Sequence, residues 1–538
     1  MTLTAADILA RRLHDAGVRH AFGMPGGEVL TLIRALAAAG IAFVLAKHET
    51  AAGFMAEAAY HRTGAPGVMV ATLGPGAMNG VNAVANALQD RVPLIVLTGC
   101  VDADEAQGYT HQVMDHGQVF APICKATFRL SAGAAAIIAD RAVITALAPR
   151  CGPVHIDVPI STAGQAVPPG KPWHRDPPLP VVAAEGPDLQ AVRAALRGAK
   201  RPVAIIGLDV MQEASGAAVQ AVLERLQIPF VTTYKAKGVI AEDHPLCLGA
   251  AGLSPRADAL ILPFVRAADL VLCLGYDPIE MRAGWRDVWD PAETCVIDIA
   301  AEANTHYMHR ATYEIVGDVG ANCALLAPDA APAPATWPMG EVATLQLALL
   351  RAFPVDTGWG PAGVIGECMA VLPPDTLATV DSGAHRILLS QMWRCTAPRS
   401  LMQSSGLCTM GCAVPLAIGT SILAPDRPVV SFSGDAGFLM ALGELATAAE
   451  RKLRTIFVVF VDASLALIEK KQRENQMPNL GVDFGWHDYA ALGRAFGGAG
   501  AQVRNRAELR AALNAALICE TFTVIAAEID RQGYDGLI

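Results

Sequence analysis

The chain lacks any run of apolar residues long enough to cross a membrane. Stretches such as Thr455–Val461 are cut by charge well short of the roughly 18 residues that a spanning helix needs. It also lacks a Lys/Arg cluster. With 41 basic against 51 acidic residues, the net charge of -10 argues against a polyanion such as nucleic acid as the main partner. A small phosphorylated ligand stays open, because backbone N–H groups and a metal ion can hold one without a basic patch. The nearest pair among the 12 cysteines, Cys408 and Cys412, lacks the two-residue spacing of zinc and redox sites, so the cysteines read as small buried hydrophobes. The segment Met1–Asp7 has no basic region followed by an apolar one, which predicts no secretory leader and a soluble cytoplasmic protein. No Gly-x-Gly-x-x-Gly follows the apolar run Pro202–Gly207, which weighs against a nicotinamide dehydrogenase.

What is present is a long, apolar, glycine-rich chain. Its 538 residues exceed what one core organises, and three domains are expected. Hydrophobic residues make up 53% and charged ones 17%, with 49 Gly and 35 Pro, a balance suited to buried sheets joined by tight turns. Two proline-rich segments read as linkers, about 162–187 (Pro168, Pro169, Pro172, Pro177, Pro178, Pro180) and 327–340 (Pro328, Pro332, Pro334, Pro338). They predict domains over 1–165, 185–328 and 342–538. Each alternates short β-branched runs with helix-like stretches, the pattern of an α/β, doubly wound parallel sheet. Expected strands include Ile41–Ala46, Gly67–Thr72, Leu94–Thr98, Pro202–Gly207, Leu270–Gly275, Val429–Ser433 and Thr455–Val461. Expected helices include Ala51–Tyr60 and Met440–Arg451.

The most informative stretch is Ser431-Phe432-Ser433-Gly434-Asp435-Ala436-Gly437-Phe438, where a strand ends in a Gly-Asp turn. The following strand ends in Val461-Asp462-Ala463-Ser464. Ligands collect at the carboxyl ends of strands in doubly wound sheets, so the two carboxylates can face one ion. Mg²⁺ takes oxygen ligands, usually one or two carboxylates plus substrate phosphates. Taken alone, a Gly-Asp turn fits a helix cap equally well.

These residues resemble the thiamine-diphosphate-dependent enzymes, whose Gly-Asp-Gly motif is followed at about this interval by an Asn metal ligand. Gly434-Asp435-Ala436 and Asp462 stand in those places, and the resemblance implies Mg²⁺ held by Asp435, Asp462 and the main-chain carbonyl of Ser464. Two departures are plain. Ala436 replaces the third Gly, which requires a backbone outside the left-handed region, and Asp462 replaces Asn, as in the catabolic acetolactate synthases. Lys47-His48-Glu49 matches the family's His-Glu, implying that Glu49 hydrogen-bonds the cofactor's pyrimidine ring and activates it. Gly23-Met24-Pro25-Gly26-Gly27, Thr72-Leu73-Gly74-Pro75-Gly76-Ala77-Met78-Asn79 and Asp90-Arg91-Val92-Pro93 complete the likeness to the family's pyrimidine domain. In Thr409-Met410-Gly411-Cys412-Ala413-Val414-Pro415, Met410 takes the place of the residue that props the cofactor in its bent form. Gly383-Ala384-His385 lies where relatives contact the diphosphate, together with Gly434, Ala436 and Gly437. The resemblance thus implies pyrimidine-binding, Rossmann-like middle and diphosphate-binding domains.

The likeness is strongest to the catabolic, flavin-independent acetolactate synthases. Gly275-Tyr276-Asp277-Pro278-Ile279-Glu280 lacks the Arg-Phe-Asp-Asp-Arg run of the flavin-containing enzymes, and Gly481-Val482-Asp483-Phe484-Gly485 points the same way, which argues against FAD. The implied reaction is decarboxylation of a 2-oxo acid, pyruvate favoured, then ligation to a second carbonyl compound. By alignment Gly27, His111, Gln112, Lys125 and Ile468 border the substrate, with His111 where Phe is usual; Glu28, beside Gly27, fits equally a residue that enters the pocket and one that faces solvent at a helix start. Pyruvate decarboxylase-like relatives carry an Asp at the Gly27 position and a His-His pair; this chain has neither, which favours ligation over simple protonation. A decarboxylase releasing an aldehyde and a catalytically silent subunit remain as alternatives. Because family members hold each cofactor between domains of two subunits, a homodimer or homotetramer is expected.

Overall fold

The computed structural model describes residues 3–167, 178–327 and 336–538. Pro168, Pro169, Pro172 and Pro177 of the first expected linker, and Pro328, Pro332 and Pro334 of the second, lie outside them. Three six-stranded sheets, each wholly parallel and flanked by helices, form the frame. Most of the β-branched runs seen in the sequence are buried inner strands, apolar on both faces as a helix-covered parallel sheet requires, whereas Ala42–Leu45 is a partly exposed edge strand.

The first sheet has the order Ala42–Leu45, His20–Met24, Gly67–Ala71, Leu94–Cys100, Val154–Pro159, Ala126–Arg129. The third has the order Leu401–Gln403, Leu377–Val380, Val429–Gly434, Ile456–Val461, Thr523–Glu528, Ala499–Val503. Numbered within their own sheets, both read 2-1-3-4-6-5. The first and third domains therefore share one topology, and in each the chain order reverses between strands 1 and 3. A crevice opens there at the carboxyl ends. The middle sheet runs Cys247–Ala250, Phe230–Thr232, Pro202–Ile206, Leu270–Leu274, Cys295–Ala300, Tyr313–Val316, the order 3-2-1-4-5-6 of a dinucleotide-binding fold.

The first and third domains are locked together through helices Glu49–Thr63 and Ala413–Leu423. Residues Ala51–Tyr60 are buried all round, so this helix has no solvent face. Small residues permit the close approach: a Cβ on Gly419 would lie 2.8 Å from Met55 Cα across the two domains, and one on Gly53 would lie 2.4 Å from that of Ala83 in the neighbouring first-domain helix Pro75–Gln89.

Several expectations need correction. The helix expected over Met440–Arg451 is broken: one helix covers Asp435–Met440, a tight turn Leu442–Glu444, and a second helix Leu445–Glu450. The break serves a tertiary contact, because the buried Glu444 carboxylate accepts from the backbone of Lys47 at 2.8 Å and from the Thr447 hydroxyl at 2.8 Å. The start of the first expected linker is ordered, since Ala166–Val167 pairs antiparallel with Leu3–Thr4. The end of the second is packed: Trp337 is buried, stacks on Phe264 and donates to the carbonyl of Pro202 at 2.8 Å. Prolines flag a break in regular structure, and they say nothing of whether a neighbouring aromatic finds a home.

Candidate functional site

In the first domain, the candidate residues gather around the turn after strand Gly67–Ala71. Glu49 is the first residue of its helix, where a negative charge meets the positive end of the helix dipole. His48 Nδ1 caps that helix by accepting from the amide of Thr50. Glu49 is only 4% exposed, and the Asn79 amide donates to its Oε2 at 3.0 Å. Thr50 closes the clamp by donating to the carbonyl of Asn79. Gly76 keeps Glu49 accessible: a Cβ there would lie 3.1 Å from Oε1.

The turn is held from below by a buried relay. The amide of Gly74 donates to His116 Nε2 at 3.1 Å, and His116 Nδ1 meets Asp157 Oδ1 at 2.9 Å. Asp157 also accepts from Thr98 at 2.6 Å, and these bonds hold its carboxyl far below the usual range despite burial. Gln112 borders the turn, its Cβ 3.2 Å from where one on Gly74 would stand. His111 is exposed, edge-on to Tyr109. Gly27 faces open space. Lys125 stands apart from this group, its ammonium donating to the carbonyl of Ala148 at 2.7 Å.

In the third domain, the carboxyl ends of the strands surround a cavity of about 150 Å³. Gly383, Ala384, His385, Met410, Gly434, Asp435, Ala436, Gly437, Asp462, Ser464 and Ile468 all line it. Asp435 follows the last strand residue, Gly434, opens helix Asp435–Met440 and is fixed by three backbone amides: Ala436 donates to Oδ1 at 2.8 Å, and Asp462 and Ala463 donate to Oδ2 at 3.1 and 2.7 Å. Ala436 is the second residue of a right-handed helix, so a Cβ is tolerated there; Ala463, with φ of 54°, is the residue that takes the left-handed turn.

Burial raises the carboxyl of Asp435, and burial together with the charge of Asp435 pushes Asp462 up to about 8. A bound cation would remove that conflict. Among the described residues no group of three or more His, Cys, Asp or Glu side chains is placed to hold a metal, so the remaining ligands would be carbonyl, phosphate or water oxygens. The donor set suits such an ion. The neighbouring wall suits an anion: helix Ala384–Met392 starts at the cavity after Gly383.

Three contributors went unseen in the sequence. Asp381 is fully buried, with Oδ1 2.9 Å from His385 Nε2 and Oδ2 accepting from the amide of Gly411 at 2.7 Å, which anchors the loop beside Met410. A Cβ on Gly437 would fall 1.8 Å from that carboxylate. Its position at a strand end was the available signal. Lys235 reaches from the middle domain to Asp90 at 2.8 Å and to the carbonyl of Gln403, while Asp90 accepts from the amides of Ser405 and Gly406. All three domains thus meet behind the Met410 loop. Tyr534, near the end of the chain, lines the cavity with no local motif to announce it.

No first-domain residue lines the third-domain cavity, although the two switch points are topological counterparts. A larger cavity, about 430 Å³ around Tyr60, Met211 and Arg399, contains none of these groups. Among the described residues no helix is long and apolar enough to cross a membrane.

Comparison with known proteins agrees with this division. Residues 3–119 match the thiamine pyrophosphate enzyme N-terminal TPP binding domain, 189–326 the central domain and 381–527 the C-terminal TPP binding domain. Acetolactate synthase of Bacillus subtilis is 29% identical, with 98% of this chain and 93% of the relative aligned. Catabolic acetolactate synthase of Raoultella terrigena is 28% identical, with 98% and 95% aligned. A probable 2-ketoarginine decarboxylase, AruI, of Pseudomonas aeruginosa is 32% identical, with 96% and 92% aligned. With all three domain types matched in order and relatives aligned over nearly their whole length, the chain belongs to the thiamine pyrophosphate enzyme family, on its acetolactate synthase-like side.

Proposed function

We propose that the protein uses thiamine diphosphate and Mg²⁺ to decarboxylate a 2-oxo acid, with pyruvate favoured, and to ligate the remainder to a second carbonyl compound. The observation that carries this is the pairing of a buried Glu49 at one switch point with Asp435 and Asp462 at its topological counterpart. When bound, the cofactor supplies the carbon nucleophile that makes loss of CO2 feasible. Glu49 would share a proton with the pyrimidine nitrogen, a task for which the Asn79 amide fixes its carboxylate. Asp435, Asp462 and the Ser464 carbonyl would hold the ion. Gly383, Ala384, His385, Gly434, Ala436 and Gly437 receive the diphosphate, and Met410 shapes the space between. Gly27, Glu28, His111, Gln112 and Ile468 border the substrate. Lys125 joins them only if its bond to Ala148 is given up.

The working unit is a homodimer or a dimer of dimers. Glu49 does not line its own chain's cavity, so a second copy placed by two-fold symmetry brings the halves together and creates two equivalent sites. Exposed Leu45, Met440 and Leu480 offer apolar surface for such an interface. The domain divisions at 165/185 and 328/342 and a cytoplasmic location belong to the same proposal. The decarboxylase relative supports a second reading, decarboxylation with release of an aldehyde. Mass spectrometry for bound thiamine diphosphate, followed by incubation with pyruvate and assay of CO2, acetolactate and acetaldehyde, tests both. CO2 with acetolactate is the expected result; acetaldehyde alone would favour the second reading, and no CO2 would overturn both.

A further inference from the structure

We infer that Glu28 selects, as the second carbonyl compound, a 2-oxo acid whose side chain ends in a cationic nitrogen group; this rests on the ligation reaction proposed above. The turn Gly27–Val29 follows strand His20–Met24 and directs Glu28 inward. Two glycines make the niche. A Cβ on Gly26 would lie 2.3 Å from Thr72 Oγ1 and 2.8 Å from Glu28 Oε2, and one on Gly99 would lie 2.9 Å from Glu28 Cβ. Inside it, the Thr72 hydroxyl donates to Glu28 Oε2 at 2.6 Å.

The Thr72 methyl group faces Gly76, where a Cβ would stand 2.8 Å from that methyl and 3.1 Å from Glu49 Oε1. Glu28 is therefore separated from the cofactor-activating carboxylate by a single side chain. Glu28, Thr72, Gly76 and Glu49 thus form one continuous wall at the carboxyl ends of the first sheet. Among the described residues no cation lies within ion-pair distance of Glu28, whose one described side-chain partner is the neutral Thr72 hydroxyl.

The two reactants meet this charge differently. The donor's carboxylate leaves as CO2, whereas the acceptor keeps its carboxylate through the ligation. An acceptor carrying only that carboxylate, pyruvate included, gains nothing from Glu28 and is used less readily than a cationic one. One with an ammonium or guanidinium tail is drawn to it, and a guanidinium also matches a carboxylate in geometry. Gly26, Gly99 and Thr72 leave the carboxylate half-buried, where such a charge is screened less than on an open surface.

The test uses holoenzyme loaded with thiamine diphosphate and Mg²⁺. Carboxyl-labelled pyruvate is supplied with an equimolar mixture of 5-guanidino-2-oxopentanoate, 2-oxohexanoate and 2-oxoglutarate, and mixed ligation products are counted by mass spectrometry. Loss of the label identifies pyruvate as donor. The guanidino product should exceed the neutral one by about tenfold or more, with the dicarboxylate product the scarcest. Glu28→Gln keeps an acceptor for Thr72 and should erase that preference, while Glu28→Lys should shift it toward the dicarboxylate. A wild-type preference for the neutral or acidic acceptor would overturn the inference. So would a Glu28→Gln variant that lowers all three products by one factor, the mark of a purely structural residue. If pyruvate is decarboxylated and no ligation product forms, the ligation reading itself falls and the inference with it.

Discussion

Asn79 donates to Glu49 at 3.0 Å across the gap between two helix starts, and this bond fixes the only carboxylate placed to activate the cofactor in the proposed mechanism. Glu49→Gln removes the shared proton and should slow turnover by roughly 10²- to 10⁴-fold while thiamine diphosphate stays bound. Asn79→Ala leaves the carboxylate in place and only loosens it, so a smaller loss, about tenfold in kcat, is expected. Steady-state kinetics on both variants checks the order. An Asn79→Ala enzyme as impaired as Glu49→Gln would mean that Asn79 does more than position.

Asp435→Ala should act on binding. Three backbone amides hold this carboxylate toward the cavity, and its loss removes a direct ligand to the proposed ion. Calorimetric titration with thiamine diphosphate in excess Mg²⁺ should show affinity lower by at least about 10- to 100-fold. Unchanged affinity would refute the metal site.

Subunit mixing tests the shared site. Inactive Glu49→Gln and inactive Asp435→Ala chains, once exchanged, should recover up to about a quarter of wild-type activity, because half of randomly paired dimers carry one intact site out of two. No recovery despite verified exchange would place both residues in one chain's site.

The middle domain carries a pH-dependent element of stability. Burial, reinforced by Asp318 and Asp209, pushes the Glu213 carboxyl up to about 7 from its ordinary 4.5. A raised folded-state value means that the stabilising contribution is complete below pH 4.5 and is lost as pH rises through 7. Glu213→Gln keeps an acceptor for the amide of Val319 and avoids the charge. With allowance for partial exposure it should be more stable than wild type by about 1 kcal/mol at pH 8 and no more stable at pH 4. Thermal unfolding at the two pH values decides this.

Much of this architecture was legible in local signals. Buried parallel strands are continuous β-branched runs, and Gly434-Asp435 and Val461-Asp462 announced strand ends that carry carboxylates. The resemblance added Glu49, Met410 and His385, whose types alone are ambiguous. Lys235 and Tyr534 were missed because each acts through groups that are remote in sequence, and no periodicity encodes such a meeting; Asp381 sat after a strand like Asp435 and Asp462, but without the Gly-Asp turn that marked Asp435. The helix expected over Met440–Arg451 failed for the same reason, since Glu444 leaves it to bond the backbone before Glu49.

The sequence by itself determined the three α/β units, the strand-end carboxylates and the glycine-rich turns, because alternation, propensity and turn chemistry are properties of neighbouring residues. The tertiary structure decided which of these groups meet. Glu28 folds inward against Thr72 because Gly26 and Gly99 leave a niche, Lys125 turns to Ala148, and Glu49 lies outside the cavity formed by Asp435 and Met410 in its own chain. Those outcomes depend on packing between segments far apart in the chain, where a close approach exists only once both partners are in place.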